Sequence, residues 1–233
     1  MSDTIQANES EKLMQMNVNP THTPDCPICM AQSPIDLTKP TKAALSPIAF
    51  QYAETDVAIF NNGYTLQVDC IESDAASNTI TIDDRSYRLV QFHFHAPSEH
   101  TVDGQFSPME LHLVHADDDG NSAVIGVFMV EGQMHEALAP VWSVLTTEEI
   151  KMANVRIAGH RVNIATLLPA GRAFYRYDGS LTTPPYSEGV LWSVMQSSIE
   201  TSAQQIAAFT ALFDGTNRPI QSLNDRCIQL GGG

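Results

Sequence analysis

Two short runs, Gln91-Phe92-His93-Phe94-His95 and Glu110-Leu111-His112-Leu113-Val114-His115, constrain the fold more than any other part of the chain. Both alternate apolar residues with histidine, which is the period of a β-strand, where successive side chains point to opposite faces. His93 and His95 therefore share one face, and Phe92 and Phe94 point into apolar packing on the other. In the second run Glu110, His112 and Val114 share a face, and Leu111, Leu113 and His115 take the opposite one. The pattern presents three imidazoles, His93, His95 and His112, to one point. Three neutral imidazoles with a fourth position open is the arrangement of a catalytic zinc that holds a water; closed structural sites carry four ligands and are rich in cysteine. A carboxylate commonly fixes the tautomer of a metal-bound histidine. Glu110 or Glu99 is placed to do this.

The rest of the chain reads as mainly β. Strand-like runs cover Val57–Phe60, Tyr64–Cys70, Thr79–Ile82, Tyr87–His95, Glu110–His115 and Ala123–Val130. Turn residues separate them at Asn61-Asn62-Gly63, Asp83-Asp84, Asp103-Gly104 and 117–121. The last cluster, Asp117-Asp118-Asp119-Gly120-Asn121, superficially suggests a calcium loop. It lacks glycine at the sixth position and an acid at the twelfth, where Phe128 stands, so it reads as a solvated hairpin turn. Helices are expected over Met134–Val144 and Ser202–Phe213.

Residues 1–30, with Pro20, Pro24 and Pro27, form an irregular N-terminal arm in this reading, and 31–233 form a single catalytic domain. A formal charge of −15 excludes nucleic-acid binding, which needs a basic surface. No apolar stretch reaches the roughly 18 residues of a membrane span. Residues 1–25 also lack an apolar signal-peptide core. The expectation is a mature periplasmic or extracellular form, or else a cytoplasmic protein. Cys26-Pro27-Ile28-Cys29 stands without a second CxxC and without a strand–helix context, so a loop disulfide or two free thiols is expected there rather than a redox motif.

Several blocks together carry a resemblance. QFHFHAPSEHTVDG, MELHLVH and GSLTTPPYSEGVLW at 179–192 resemble the α-class carbonic anhydrases. QSPIDL at 32–37, NNGY at 61–64 and NRPIQSLNDR at 217–226 match further blocks in the family's order. The resemblance implies a mainly β (α+β) fold with a large, twisted, mostly antiparallel central sheet and peripheral helices. It implies an enzyme, monomeric or homodimeric, that reversibly hydrates carbon dioxide to bicarbonate by attack of zinc-bound hydroxide. The cofactor is Zn2+, held by His93, His95 and His112. Such a zinc lowers the pKa of its water from 15.7 to about 7, a value established for carbonic anhydrases themselves.

The resemblance also assigns roles. Thr182 matches a gatekeeping threonine and Glu99 its carboxylate partner: a hydroxyl that donates to Glu99 must accept from the reacting water. Val114, Val124, Leu181, Val190 and Trp192 match the wall of the substrate pocket, with Thr183 a neighbouring polar contact. His100 and Tyr177 match a buried polar network, and aromatic sulfonamides become expected inhibitors. Tyr64 stands where the family often has a proton-relaying histidine. Tyrosine, with a reference pKa of about 10, cannot accept a proton at neutral pH, so a slow relay is expected. Tyr186 occupies the place of a cysteine that in the family often pairs with one near QSPI, so that bridge cannot form. Two other readings compete. One is a catalytically silent binding domain on the same fold; such relatives typically lose a zinc histidine. The other is a cupin-type oxygenase, for which no second motif is present.

Overall fold

The computed structural model describes residues 30–71, 78–152 and 154–232. The expected arm over 1–30, with Cys26, Cys29 and His22, lies outside the described residues except for Met30. Among the described residues fifteen strands follow one another: β1 (Thr41–Lys42), β2 (Ala49–Gln51), β3 (Glu54–Asn61), β4 (Leu66–Ile71), β5 (Thr79–Ile82), β6 (Arg85–His95), β7 (Thr101–Val102), β8 (Gln105–Phe106), β9 (Met109–Ala116), β10 (Ser122–Glu131), β11 (Ile157–Asn163), β12 (Phe174–Ser180), β13 (Glu188–Met195), β14 (Ile199–Thr201) and β15 (Gln229–Gly231). Ten run side by side as β1-β15-β12-β13-β10-β9-β6-β4-β3-β11, with β14 beside β10 and the β2–β5 pair beside β6; β7 and β8 form a separate hairpin. Most neighbours are antiparallel, and β1/β15, β10/β13 and β10/β14 are parallel. The sheet is therefore mixed, with the antiparallel majority that the resemblance implied.

Each sheet face carries its own core. Phe92, Phe94, Leu111, Leu113, Ile125 and Val127 point to one face. There the ring of Phe94 meets Trp142 at 4.8 Å and Phe209 at 6.0 Å. Val124, Val190, Trp192 and Val194 point to the other face, with Ile35, Tyr175 and Tyr177. The covering helix α2 is Ala203–Phe213, within the expected Ser202–Phe213 span, and is capped reciprocally by Ser202 and Gln205. The other expected helix, Met134–Val144, is broken. A 3-10 turn at Glu136–Leu138 leads into the five-residue helix α1, Ala139–Ser143, and a second 3-10 turn follows at Val144–Thr146. Pro140 sits in the first turn of α1, where its missing N–H costs nothing, and the chain before it cannot continue a regular ladder through a proline.

Strand β6 holds a feature that alternation does not anticipate. Leu89 pairs with His115 and Gln91 with Val114, so Val90 is an extra residue, a β-bulge. Tyr87 and Leu89 therefore share the core face with Phe92 and Phe94, three residues further along instead of two. Past the bulge strict alternation resumes. Asp83 and Asp84 make the turn into β6 at φ of 47° and 65°, the left-handed pair that a tight hairpin needs.

Candidate active site

Register assembles the site. His93 lies opposite His112, and Gln67 of β4 lies opposite His93. Gly126 of β10 lies opposite His112. The ligand nitrogens of His93, His95 and His112 all lie within 4.8 Å of one another. The ring centroids are 5.1, 5.2 and 4.8 Å apart for the pairs 93–95, 93–112 and 95–112.

Each imidazole is tethered through one nitrogen, which leaves the other for the common point. His93 Nδ1 donates to Gln91 Oε1 at 2.8 Å, and His95 Nδ1 donates to the carbonyl of Thr216 at 3.2 Å. His112 Nε2 donates to Glu110 Oε1 at 3.0 Å. Nε2 of His93, Nε2 of His95 and Nδ1 of His112 remain. His95 Nε2 is buried with no hydrogen-bond partner, an atom whose lone pair asks for a metal ion. Burial, seconded by the neighbouring imidazoles, holds His93 well below its ordinary pKa. Burial also lowers His95. Both rings therefore stay neutral, as metal ligands must. At His112 burial again pushes down, but Glu110 outweighs it and raises the pKa, making that ring the more basic donor.

Glu110 is the hub beneath the site. Its Oε2 accepts the backbone N–H groups of Glu99 and His100, both at 2.8 Å. Its Oε1 accepts from His100 Nδ1 at 2.7 Å as well as from His112. Burial would raise this carboxyl, but His100 and His112 hold it well below the usual range. Gly126 makes room for it: a Cβ there would stand 3.0 Å from Glu110 Oε1 and 3.2 Å from Val194. His100 Nε2 lies 2.6 Å from the Tyr177 hydroxyl, which lies 2.9 Å from Ser33 Oγ, so the implied buried network is present. His115 faces the other way. It sits 2.7 Å from the Tyr52 hydroxyl, and burial lowers its pKa to about 3.

Above the imidazoles opens a cavity of about 460 Å³, lined by His93, His112, Thr182 and Thr183 and by the apolar set Val114, Val124, Leu181, Val190 and Trp192. Tyr64, 58% exposed, stands in its lining. Thr182 rides on a tight loop closed by Leu181 N–H to the Ser187 carbonyl at 2.9 Å and Tyr186 N–H to the Thr183 carbonyl at 2.9 Å. One expected contact is absent. Glu99 Oε1 accepts the backbone N–H of Arg218 at 2.7 Å, and Glu99 Oε2 is buried without a partner, so no hydrogen bond joins Glu99 to Thr182. Instead Oε2 lies 3.5 Å from His95 Nε2 and 3.9 Å from His112 Nδ1, facing the same point as the ligand nitrogens.

Residues 19–231 match the model of the eukaryotic-type carbonic anhydrases. The chain belongs to that family. It is similar to a carbonic anhydrase of Pectobacterium carotovorum, 37% identical over 220 residues that cover 91% of this chain and 87% of that protein. It is similar in structure to the α-carbonic anhydrase of Photobacterium profundum, with a TM-score of 0.79, 37% identity and coverage of 88% and 91% of the two chains. The α-carbonic anhydrase from Thermovibrio ammonificans, solved in complex with the inhibitor sulfanilamide, gives a TM-score of 0.80 at 39% identity, with 88% of each chain covered. Membership makes the chain an enzyme of the carbonic anhydrase type. No helix among the described residues is long and apolar enough to cross a membrane.

Sequence reasoning missed three supports of the site. Gln91 could have been found, since it shares a strand face with His93 two residues on. Gly126 signalled itself only as a glycine inside a strand, which marks a close approach. The Thr216 carbonyl carried no signal, because every residue has one.

Proposed function

We propose that the chain catalyses the reversible hydration of carbon dioxide with one zinc ion held by His93 Nε2, His95 Nε2 and His112 Nδ1. The carrying observation is the tethering: all three rings have their outer nitrogens engaged, and their remaining nitrogens converge beneath an apolar cavity. Three neutral imidazoles leave the ion its full double charge and one open position, which suits zinc. When bound, the zinc would supply a water acidified to a pKa near 7.

The chain's own residues do the rest. Gln91, the Thr216 carbonyl and Glu110 fix the tautomers and aim the rings. Val114, Val124, Leu181, Val190 and Trp192 give a carbon dioxide molecule, which has no net dipole, an apolar wall and exclude competing water. The Thr182 hydroxyl lines that cavity, where it would orient the reacting water by accepting a hydrogen bond from it. That direction is forced when Thr182 donates its own proton to a carboxylate; the resemblance assigns this to Glu99, whose unpartnered Oε2 would have to turn from the ligand nitrogens towards Thr182. Tyr64 at the cavity lining orders water and does not relay protons.

A silent binding domain would not need three aimed lone pairs, a satisfied carboxylate hub beneath them and a threonine above. The deciding experiment is metal analysis of the purified protein combined with stopped-flow carbon dioxide hydration, with and without a chelator. One zinc per chain and chelator-sensitive hydration are expected. Iron, manganese or no metal refutes the zinc assignment. A zinc-loaded protein that does not hydrate carbon dioxide leaves the silent domain.

A further inference from the structure

Carbon dioxide is uncharged, but its hydration product is a monovalent oxyanion, and a chain of formal charge −15 repels anions. A local cation is therefore of use in the cavity. Among the described residues lining it, Arg156 is the one arginine or lysine. Its Nη1 donates to Asp69 Oδ2, and its guanidinium carbon lies 4.3 Å over the Phe60 ring. The Asp69 side chain is 1% exposed and lies behind the lining, while the Arg156 side chain remains 34% exposed. The ion pair is thus a dipole with its positive end towards the cavity. A guanidinium has five N–H donors in a planar fork, and a carboxylate engages only one or two of them.

The pair is fixed to the site. Asp69 Oδ1 accepts from Gln67 Nε2 at 2.7 Å, and Gln67 Oε1 accepts from Asn62 Nδ2 at 2.9 Å. Gln67 and Asn62 both line the cavity, and Gln67 is the ladder partner of His93. Two carboxylates also line the cavity. Asp119 is solvent-exposed, and Glu188 Oε1 already accepts from Ala31 N–H and Gln32 Nε2 at 2.8 and 2.9 Å.

We propose that Arg156, oriented by Asp69, docks the bicarbonate anion in the cavity: it captures substrate in dehydration and holds product in hydration. The proposal rests on the carbon dioxide hydration reading above. It concerns the bound anion, not attack on carbon dioxide. The overall equilibrium is fixed, so a loss in anion binding must raise the bicarbonate KM and dehydration turnover together, with little change in kcat/KM for carbon dioxide.

The test is stopped-flow kinetics in both directions on the zinc-loaded full chain, with calorimetric titration of bicarbonate as a readout independent of turnover. Arg156→Gln takes a partner from a buried carboxylate, so the paired variant Asp69→Asn/Arg156→Gln is made beside it and keeps the wall neutral. In both, the bicarbonate KM, the constant for inhibition of hydration by bicarbonate, and the calorimetric dissociation constant rise about fivefold, the value of a half-exposed charge pair. Meanwhile kcat/KM for carbon dioxide falls by less than about twofold, and Arg156→Lys, which keeps the charge but not the fork, falls between wild type and Arg156→Gln in the bicarbonate constants. Unchanged bicarbonate constants overturn the proposal. So does an equal fall in kcat/KM for carbon dioxide in folded variants, since that marks a merely structural wall. A zinc-loaded wild type without hydration activity overturns the functional reading, and this proposal with it.

Discussion

Glu110→Gln tests the hub beneath the site. Four N–H groups end on this fully buried carboxylate: two backbone donors on Oε2, and His100 Nδ1 and His112 Nε2 on Oε1. An amide is the same size but offers one acceptor oxygen and one donor NH2. Whichever way it is turned, two of the four donors face another donor. Each buried group left without a partner costs about 1–3 kcal/mol, so the variant should lose about 2–6 kcal/mol. At roughly 3 °C per kcal/mol for a domain of this size, that is a fall of about 6–18 °C in Tm. If the amide oxygen turns to the backbone donors, His112 loses the acceptor that fixes its tautomer. Zinc affinity should then fall about 10- to 100-fold, the usual effect of removing such a partner. Scanning calorimetry measures the first quantity and competition with a chelator of known affinity the second. A variant that melts within about 2 °C of wild type, and binds zinc within about twofold, would show that the four contacts do not share one acceptor in solution.

Other outcomes follow from the same geometry. His115 is buried neutral, with its pKa lowered from 6.5 to about 3. A depressed folded-state pKa contributes stability that is present above the unfolded value and is lost as pH falls, so acidification from pH 6.5 to about 5 should cost about 2 kcal/mol at this residue. His115→Gln should flatten the dependence of Tm on pH in that window, and an unaltered slope would contradict the assignment. Turnover of the wild type should rise with added imidazole buffer, and Tyr64→His should raise kcat more than kcat/KM in stopped-flow assays. If neither change appears, protons leave by another route. Sulfanilamide should inhibit hydration, and Thr182→Ala should weaken that inhibition and slow turnover while metal analysis still finds zinc. Full potency against Thr182→Ala would argue against the role given to that hydroxyl.

The strands that carry the imidazoles were legible because alternation is a local property. β6 was expected at Tyr87–His95 and spans Arg85–His95; β9 was expected at Glu110–His115 and spans Met109–Ala116. Opposite faces for His112 and His115 followed from the same rule. The C-terminal strands β12, β13 and β15 were not read from periodicity, because they surround the site through long-range pairing, and β13 enters beside β10 in parallel. The tautomer-fixing partner of His95 is a backbone carbonyl more than a hundred residues away, which no residue type announces. The Glu99–Thr182 contact was implied by resemblance and does not form here, whereas the pocket wall implied the same way is assembled at the cavity. Helix α1 was overestimated, since an apolar run with good helix formers hid the effect of Pro140.

The bulge at Val90 gives strand β6 two phases. Before it, Tyr87 and Leu89 are the inward residues; after it, Phe92 and Phe94 are, while His93 and His95 face the cavity. A chain shortened by that one residue could keep only one half in phase. Either the hairpin half would turn its apolar side chains to the cavity face, or the two imidazoles would swing into the core beside Trp142. The placement of the ligand pair thus depends on how many residues separate it from the Asp83-Asp84 turn, rather than on which residues they are. Substitution along that stretch is tolerable for the catalyst where deletion is not. The bulge works as a mechanical offset that lets the hairpin's sequence drift without rotating the metal site.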